Sequence, residues 1–115
     1  MLRDRRSATS GRAADARTFA ALGEETRLRL VGRLCRGEPL SISELTKGSN
    51  VTRQAVTKHL RVLESAGVVR SARHGRESVF RFEPRSVNKA REYLDGVSEH
   101  WDQALSRLKA FVQEK

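Results

Sequence analysis

The 115 residues read as a mainly α-helical single domain with a small β-hairpin, about five helices plus a wing. Three observations carry that reading. Residues 43–66 hold two helical stretches joined by the tight turn Gly48-Ser49-Asn50. The stretch VVRSARHGRESVFRF follows, with β-prone runs at Val68–Arg73 and Glu77–Phe82 around His74-Gly75-Arg76. Pro84 then opens a long final helix whose apolar residues step by three and four. Two helices on a glycine turn followed by a hairpin form a winged helix-turn-helix pattern, and the final helix is suited to dimerisation.

Each element has its own local cause. Residues 1–12 (MLRDRRSATSGR) are polar and aperiodic, so a disordered basic arm is expected there, with the folded domain over 13–115. Asp15 suits the cap of a short helix to Leu22, and Gly23 suits a left-handed exit. A second helix is expected from Glu24 to Arg36, with Leu28, Val31, Leu34 and Cys35 as its apolar stripe and Gly37 as its stop. Pro39 forces extended chain. Ser41 or Ser43 can cap a third helix to Lys47, anchored by Ile42 and Leu45. Thr52 caps a fourth, ending at Ala66 before Gly67. The final helix is expected to reach Glu114.

Composition narrows the partners. Lys plus Arg is 23 against 14 for Asp plus Glu, a formal net charge of +9. The excess is local, with +3 in residues 1–12 and +5 in residues 53–82. Such a balance points to a polyanion. The longest apolar run is Phe19 to Leu22, far short of a membrane span, and no apolar region follows the N-terminal arginines. A soluble cytoplasmic protein is therefore expected. Cys35 is the single cysteine, which excludes a disulfide framework and a cysteine-based zinc site. No nucleophile–base motif, Gly-rich phosphate loop or paired-carboxylate site points to an enzyme.

The fourth helix carries the functional signal. At 100° per residue, Val62, Ala55, Ala66, His59, Leu63, Val56 and Leu60 share one arc. Arg53, Glu64, Thr57, Arg61, Gln54, Ser65 and Lys58 share the opposite one. Arg53 and Gln54 can make bidentate contacts with guanine and adenine edges. Thr57 can meet a base edge or a phosphate, while Lys58 and Arg61 suit phosphates. The hairpin adds Arg70, Arg73, Arg76 and Arg81, with its tip placed for a neighbouring minor groove or backbone. Phe80 and Phe82 share a strand face and read as core.

In the final helix Val87, Ala90, Leu94, Val97, Trp101, Ala104, Leu108 and Phe111 form a strict heptad stripe. About 30 residues span roughly 45 Å, more than so small a domain needs for its own core. A dimer seam follows, with Ala13, Ala14, Phe19, Ala20 and Ala21 of the first helix alongside. A dimer would place two recognition helices about 34 Å apart, matching a palindrome in double-stranded DNA.

The segments ALGEETRLRLVGRL and SISELTKGSNVTRQAVTKHLRVLESAGVVRSARHGRESVFRF, with the closing helix, resemble the ArsR-type winged helix-turn-helix repressors. The resemblance covers roughly residues 15–112, and TRQAVTKHLRVLESAGVV is its most specific stretch. It implies a homodimer that represses its own operon, and in many members DNA is released when a metal or other inducer binds. It implies DNA contacts from Thr52, Arg53, Gln54, Thr57, Lys58, His59 and Arg61, and wing contacts near Arg73, His74, Gly75 and Arg76. The chain departs from the metal-sensing members. Its third helix reads SELTKG, without a thiol, and its last helix offers His100 with Asp95, Glu99 and Asp102 scattered around it. The resemblance is thus to a subgroup without an evident metal site, and no cofactor is expected; an inducer is not specified.

Some residues carry two readings. His59 lies on the apolar arc, as a packed hydrogen-bonded histidine or a phosphate contact. Cys35 reads as a buried inert thiol or a redox switch, and Trp101 as seam or as the wall of an inducer pocket. The rival functions are a nonspecific architectural or RNA-binding protein and a metal- or redox-responsive sensor of the same fold.

Overall fold

The structure, a computed structural model, describes residues 2–113, with side chains from residue 11 onward. The chain order is α1 (Leu2–Leu22), α2 (Glu25–Leu34), β1 (Leu40–Ser41), α3 (Ile42–Thr46), α4 (Arg53–Ser65), β2 (Val69–His74), β3 (Glu77–Phe82) and α5 (Pro84–Gln113). Glu114, the expected end of the last helix, lies outside the described residues.

The caps explain most of these boundaries. Glu24 caps α2 by accepting from the Arg27 N–H at 2.9 Å. Ser41, not Ser43, caps α3 in a reciprocal box: its hydroxyl accepts from Glu44 N at 3.1 Å, and its own N–H donates to Glu44 Oε1 at 3.0 Å. Thr52 caps α4 by accepting from Ala55 N at 3.1 Å. Gly75 has φ +68°, which the first central position of a two-residue hairpin turn needs, and His74 pairs with Glu77 across it.

The first helix departs from expectation. Instead of a disordered arm over residues 1–12 and a helix capped at Asp15, α1 begins at Leu2 and passes through Asp15 without a break. No proline interrupts residues 2–22, and alanine recurs through it. Gly23 does not take the left-handed exit foreseen for it. Arg27 closes α1 instead: its Nε donates to Ala21 O at 2.7 Å and its Nη2 to Ala20 O at 3.3 Å.

The hairpin belongs to a three-stranded antiparallel sheet of order β1-β3-β2. The added strand is two residues long, with Leu40 opposite Phe80 and Ser41 opposite Val79. In the wing itself Val69 pairs with Phe82 and Arg70 with Arg81.

The core gathers Leu30, Val31 and Leu34 of α2, Leu45 of α3, Val56, Leu60 and Leu63 of α4, and Val68, Val69 and Phe80 of the hairpin. Two residues of the expected α2 stripe are not in it. Leu28 is 56% exposed and Cys35 is exposed, whereas Leu30 is buried. At 100° per residue Leu30, Val31 and Leu34 span one arc, and Leu28 and Cys35 fall beyond its edge. Arg33 ties α2 to α3, donating from Nη1 to Leu45 O at 2.7 Å and from Nη2 to Glu44 O at 2.8 Å. This satisfies carbonyls at the end of a five-residue helix too short to hold itself. The two helices of the helix-turn-helix therefore sit on a fixed platform.

Candidate nucleic-acid interface

Val56, Leu60 and Leu63 are fully buried and press α4 onto the core. Truncating either leucine to alanine costs about 2–5 kcal/mol. That anchoring turns the other side of α4 outward. Arg53, Gln54, Thr57, Lys58 and Arg61 line one shallow open groove there. No acidic residue lines it. Two of the five are ordered by neighbours: Arg53 Nη1 donates to Ser43 Oγ of α3 at 2.7 Å, and Thr57 Oγ1 donates to Arg53 O at 2.9 Å. Thr52 is spent on the cap, at the mouth of the same face.

The wing extends from the far end of α4. Glu64 fixes it, accepting from the Ser71 backbone N–H at 3.2 Å and from the Ser71 hydroxyl. Arg70 Nε lies 3.3 Å from Glu83 Oε2. Arg73, His74, Gly75 and Arg76 are exposed at the tip. Phe80 is buried and Phe82 is half-buried, both packed into the core as their strand face required.

His59 stands apart from this group. It faces the α1–α2 junction, its Nδ1 3.3 Å from Arg27 Nη1 and 3.6 Å from Glu24 Oε2. The heptad stripe of α5 also divides. Ala90 is buried and Val87 packs against the core of its own protomer, while Leu94, Val97, Trp101, Leu108 and Phe111 are 47–63% exposed. Tyr93, 46% exposed, packs its ring 6.3 Å from that of Phe19 on α1.

Residues 22–72 match a helix-turn-helix domain family. The chain is 36% identical over 90 residues to the HTH-type transcriptional regulator Rv2034 of Mycobacterium tuberculosis, covering 78% of this chain and 80% of that protein. Among solved structures, an ArsR-like transcriptional regulator from Rhodococcus sp. RHA1 superposes with a TM-score of 0.80 at 35% identity, covering 90% of this chain and 94% of that chain. The chain belongs to the ArsR-type winged helix-turn-helix transcriptional regulators. It is also 35% identical over 85 residues to a transcriptional repressor SmtB homolog of Synechocystis, covering 73% of this chain and 64% of that one.

Around the interface of this ArsR-type regulator, two carboxylates are held below their ordinary range. Glu24 is lowered by the backbone N–H groups of Arg27 and Thr26, and Glu44 by the backbone N–H and hydroxyl of Ser41. The exposed Cys35 has its thiol raised by partial desolvation, which keeps it protonated at neutral pH. Among the described residues no cluster of three His, Cys, Asp or Glu side chains is arranged to hold a metal ion. No described helix is long and apolar enough to cross a membrane. Ser43, Glu64 and Ser71 are the functional neighbours that sequence reasoning missed. Helical periodicity places Glu64 on the polar arc, but nothing in the sequence reveals that it pairs with the wing.

Proposed function

We propose that this regulator is a homodimeric repressor that reads a palindromic operator in double-stranded DNA. The observation that carries this reading is the outward groove of α4, with five polar or cationic side chains and no acid. Arg53 and Gln54, at the N-terminal end, read base edges. Lys58 and Arg61 hold phosphates, and Thr52 and Thr57 sit at the backbone edge. The wing tip, Arg73 to Arg76, reaches the adjacent groove. The elements α1 to α5 together form the DNA-binding and dimerisation domain. A DNA-bound regulator of this kind works in the cytoplasm.

Fluorescence anisotropy tests it, with the DNA upstream of this protein's own gene and a scrambled duplex, each at two salt concentrations. Preference for the native fragment that survives higher salt is the expected result. Equal binding that collapses with salt would leave only counterion release, and would favour a nonspecific architectural protein.

A further inference from the structure

A second group of cations lies beside the outward groove of α4. Where α1 passes over α4, Arg17, Ala20 and Ala21 meet Arg61, Val62, Ser65 and Ala66, with Arg27 of α2 also lining the gap. They enclose an open groove of about 410 Å³, within the ordinary size of small-molecule sites. Its apolar part is made by Ala20, Ala21, Val62 and Ala66. Val62 lies on the apolar arc of α4 yet is 43% exposed, so nothing in the protomer covers it fully.

The rest of the lining is cationic. Three arginines, Arg17, Arg27 and Arg61, are among the lining residues, and no acidic residue is, among the described residues. Arg27 is fixed in place by its bonds to Ala20 O and Ala21 O, so it also neutralises the carbonyl end of α1, which would otherwise repel an anion. Arg17 and Arg61 have no ion-pair partner among the described residues. The Ser65 hydroxyl is a further donor. An adjoining furrow shares Arg17, Ser65 and Ala66 and adds Arg85 and Lys89 against a single acid, Asp15.

The geometry points to this groove as a binding site for an organic monocarboxylate with an apolar body. The carboxylate pairs with the guanidinium groups, which match its two oxygens in a bidentate fork. The apolar body lies on Ala20, Val62 and Ala66, with the buried Ala21 beneath them. Inorganic anions leave that surface wet, and uncharged apolar molecules leave the cations unpaired. Among the described residues the lining comes from α1, α2 and α4 and none of it from α5, whose exposed heptad stripe is the main part of the expected seam.

Arg61 gives the site a consequence. It lines both this groove and the outward groove of α4. A carboxylate that engages Arg61 withdraws it from a phosphate, so binding here weakens DNA binding. This coupling rests on the DNA-binding reading above, whereas the binding site itself does not.

Methyl NMR of the full chain tests the site without DNA, using octanoate as probe and octanol and sulfate as controls. Octanoate is expected to shift the Ala20, Ala21 and Val62 methyls saturably with a millimolar or tighter Kd, and the controls are not. Arg17→Ala is expected to weaken octanoate binding by up to roughly fivefold, the most that one exposed ion pair contributes. Val62→Glu, at a half-exposed position, should abolish it while the spectrum stays that of a folded protein. Absence of a saturable shift, equal shifts with octanol or sulfate, or unchanged binding in Val62→Glu would overturn the site. In a second arm, octanoate should weaken operator binding by wild type and leave Arg61→Ala, already a weaker binder, unaffected. Octanoate binding in the NMR arm without that effect would overturn the coupling alone. A protein that binds octanoate but no operator would show that the DNA reading had failed instead.

Discussion

Gly67 ends α4 with φ +77°, a conformation that L side chains adopt at a cost. A Cβ there would come 2.6 Å from Ser86 Oγ, which donates to Gly67 O at 3.2 Å. Gly67→Ala should therefore destabilise the fold by about 1–3 kcal/mol, from backbone strain and displacement of the Ser86 hydroxyl. Adding Ser86→Ala should recover the steric part but not the strain. Urea unfolding of the two variants beside wild type checks this, and a Gly67→Ala protein as stable as wild type would contradict it. The outward side chains of α4 separate by role at the same scale. Arg53→Ala or Gln54→Ala should cost discrimination between operator and random DNA, by about 1–3 kcal/mol. Lys58→Ala should weaken both duplexes alike and lower the salt slope by about one. Equal losses on both duplexes in all three variants would contradict the division.

At the scale of elements, the local signals that proved readable were those that act within a few residues. Thr52 capped α4 where a threonine before a polar–apolar repeat should, and the arc of Val56, Leu60 and Leu63 became the buried face. The hairpin followed from β-prone runs around Gly75. What could not be read depended on neighbours distant in sequence. The apolar residues of α2 spread over an arc wider than the core takes, and only the packing against α3, α4 and the sheet selects Leu30 over Leu28 and Cys35. β1 is two residues long, too short for any alternation, and exists because β3 offers it an edge. Its arc alone leaves His59 between two roles, and its contacts come from Glu24 and Arg27 at the start of α2, distant in sequence. The α3 capping box makes a prediction of its own. The folded protein holds Glu44 below the ordinary carboxylate range, so its contribution is present above the unfolded value, about 4.3, and is lost as pH falls through the depressed folded one. Glu24 acts in the same direction. Thermal melts should thus lose stability from about pH 5 downward. Glu44→Gln should show a shallower loss over that window, and a slope identical to wild type would remove the capping carboxylate from the account.

For the molecule as a whole, the shape argues for a second copy. The protomer exposes 9095 Å², against about 6,300 Å² for a compact monomer of its mass. Its radius of gyration is 19.0 Å, against about 13 Å for a compact domain of this length. The surplus includes the outer part of α5, where Leu94, Val97, Trp101 and Leu108 stay exposed on one heptad stripe while Val87 and Ala90 serve the protomer's own core. One helix thus divides its apolar stripe between folding and association. Burying such a stripe against its copy sets two α4 helices at a fixed separation, which lets a palindrome be read at two half-sites together. The double variant Leu94→Asp/Leu108→Asp places charges at positions that the protomer leaves exposed. It should keep the helical circular dichroism of wild type and run in light scattering at the protomer mass of 12.9 kDa instead of twice that value. Its affinity for a two-half-site duplex should fall to that for a single half-site, because the second contact is no longer intramolecular. A variant that stays dimeric would move the seam off α5. A monomeric wild type would leave the exposed stripe, and the palindrome with it, without the role assigned here.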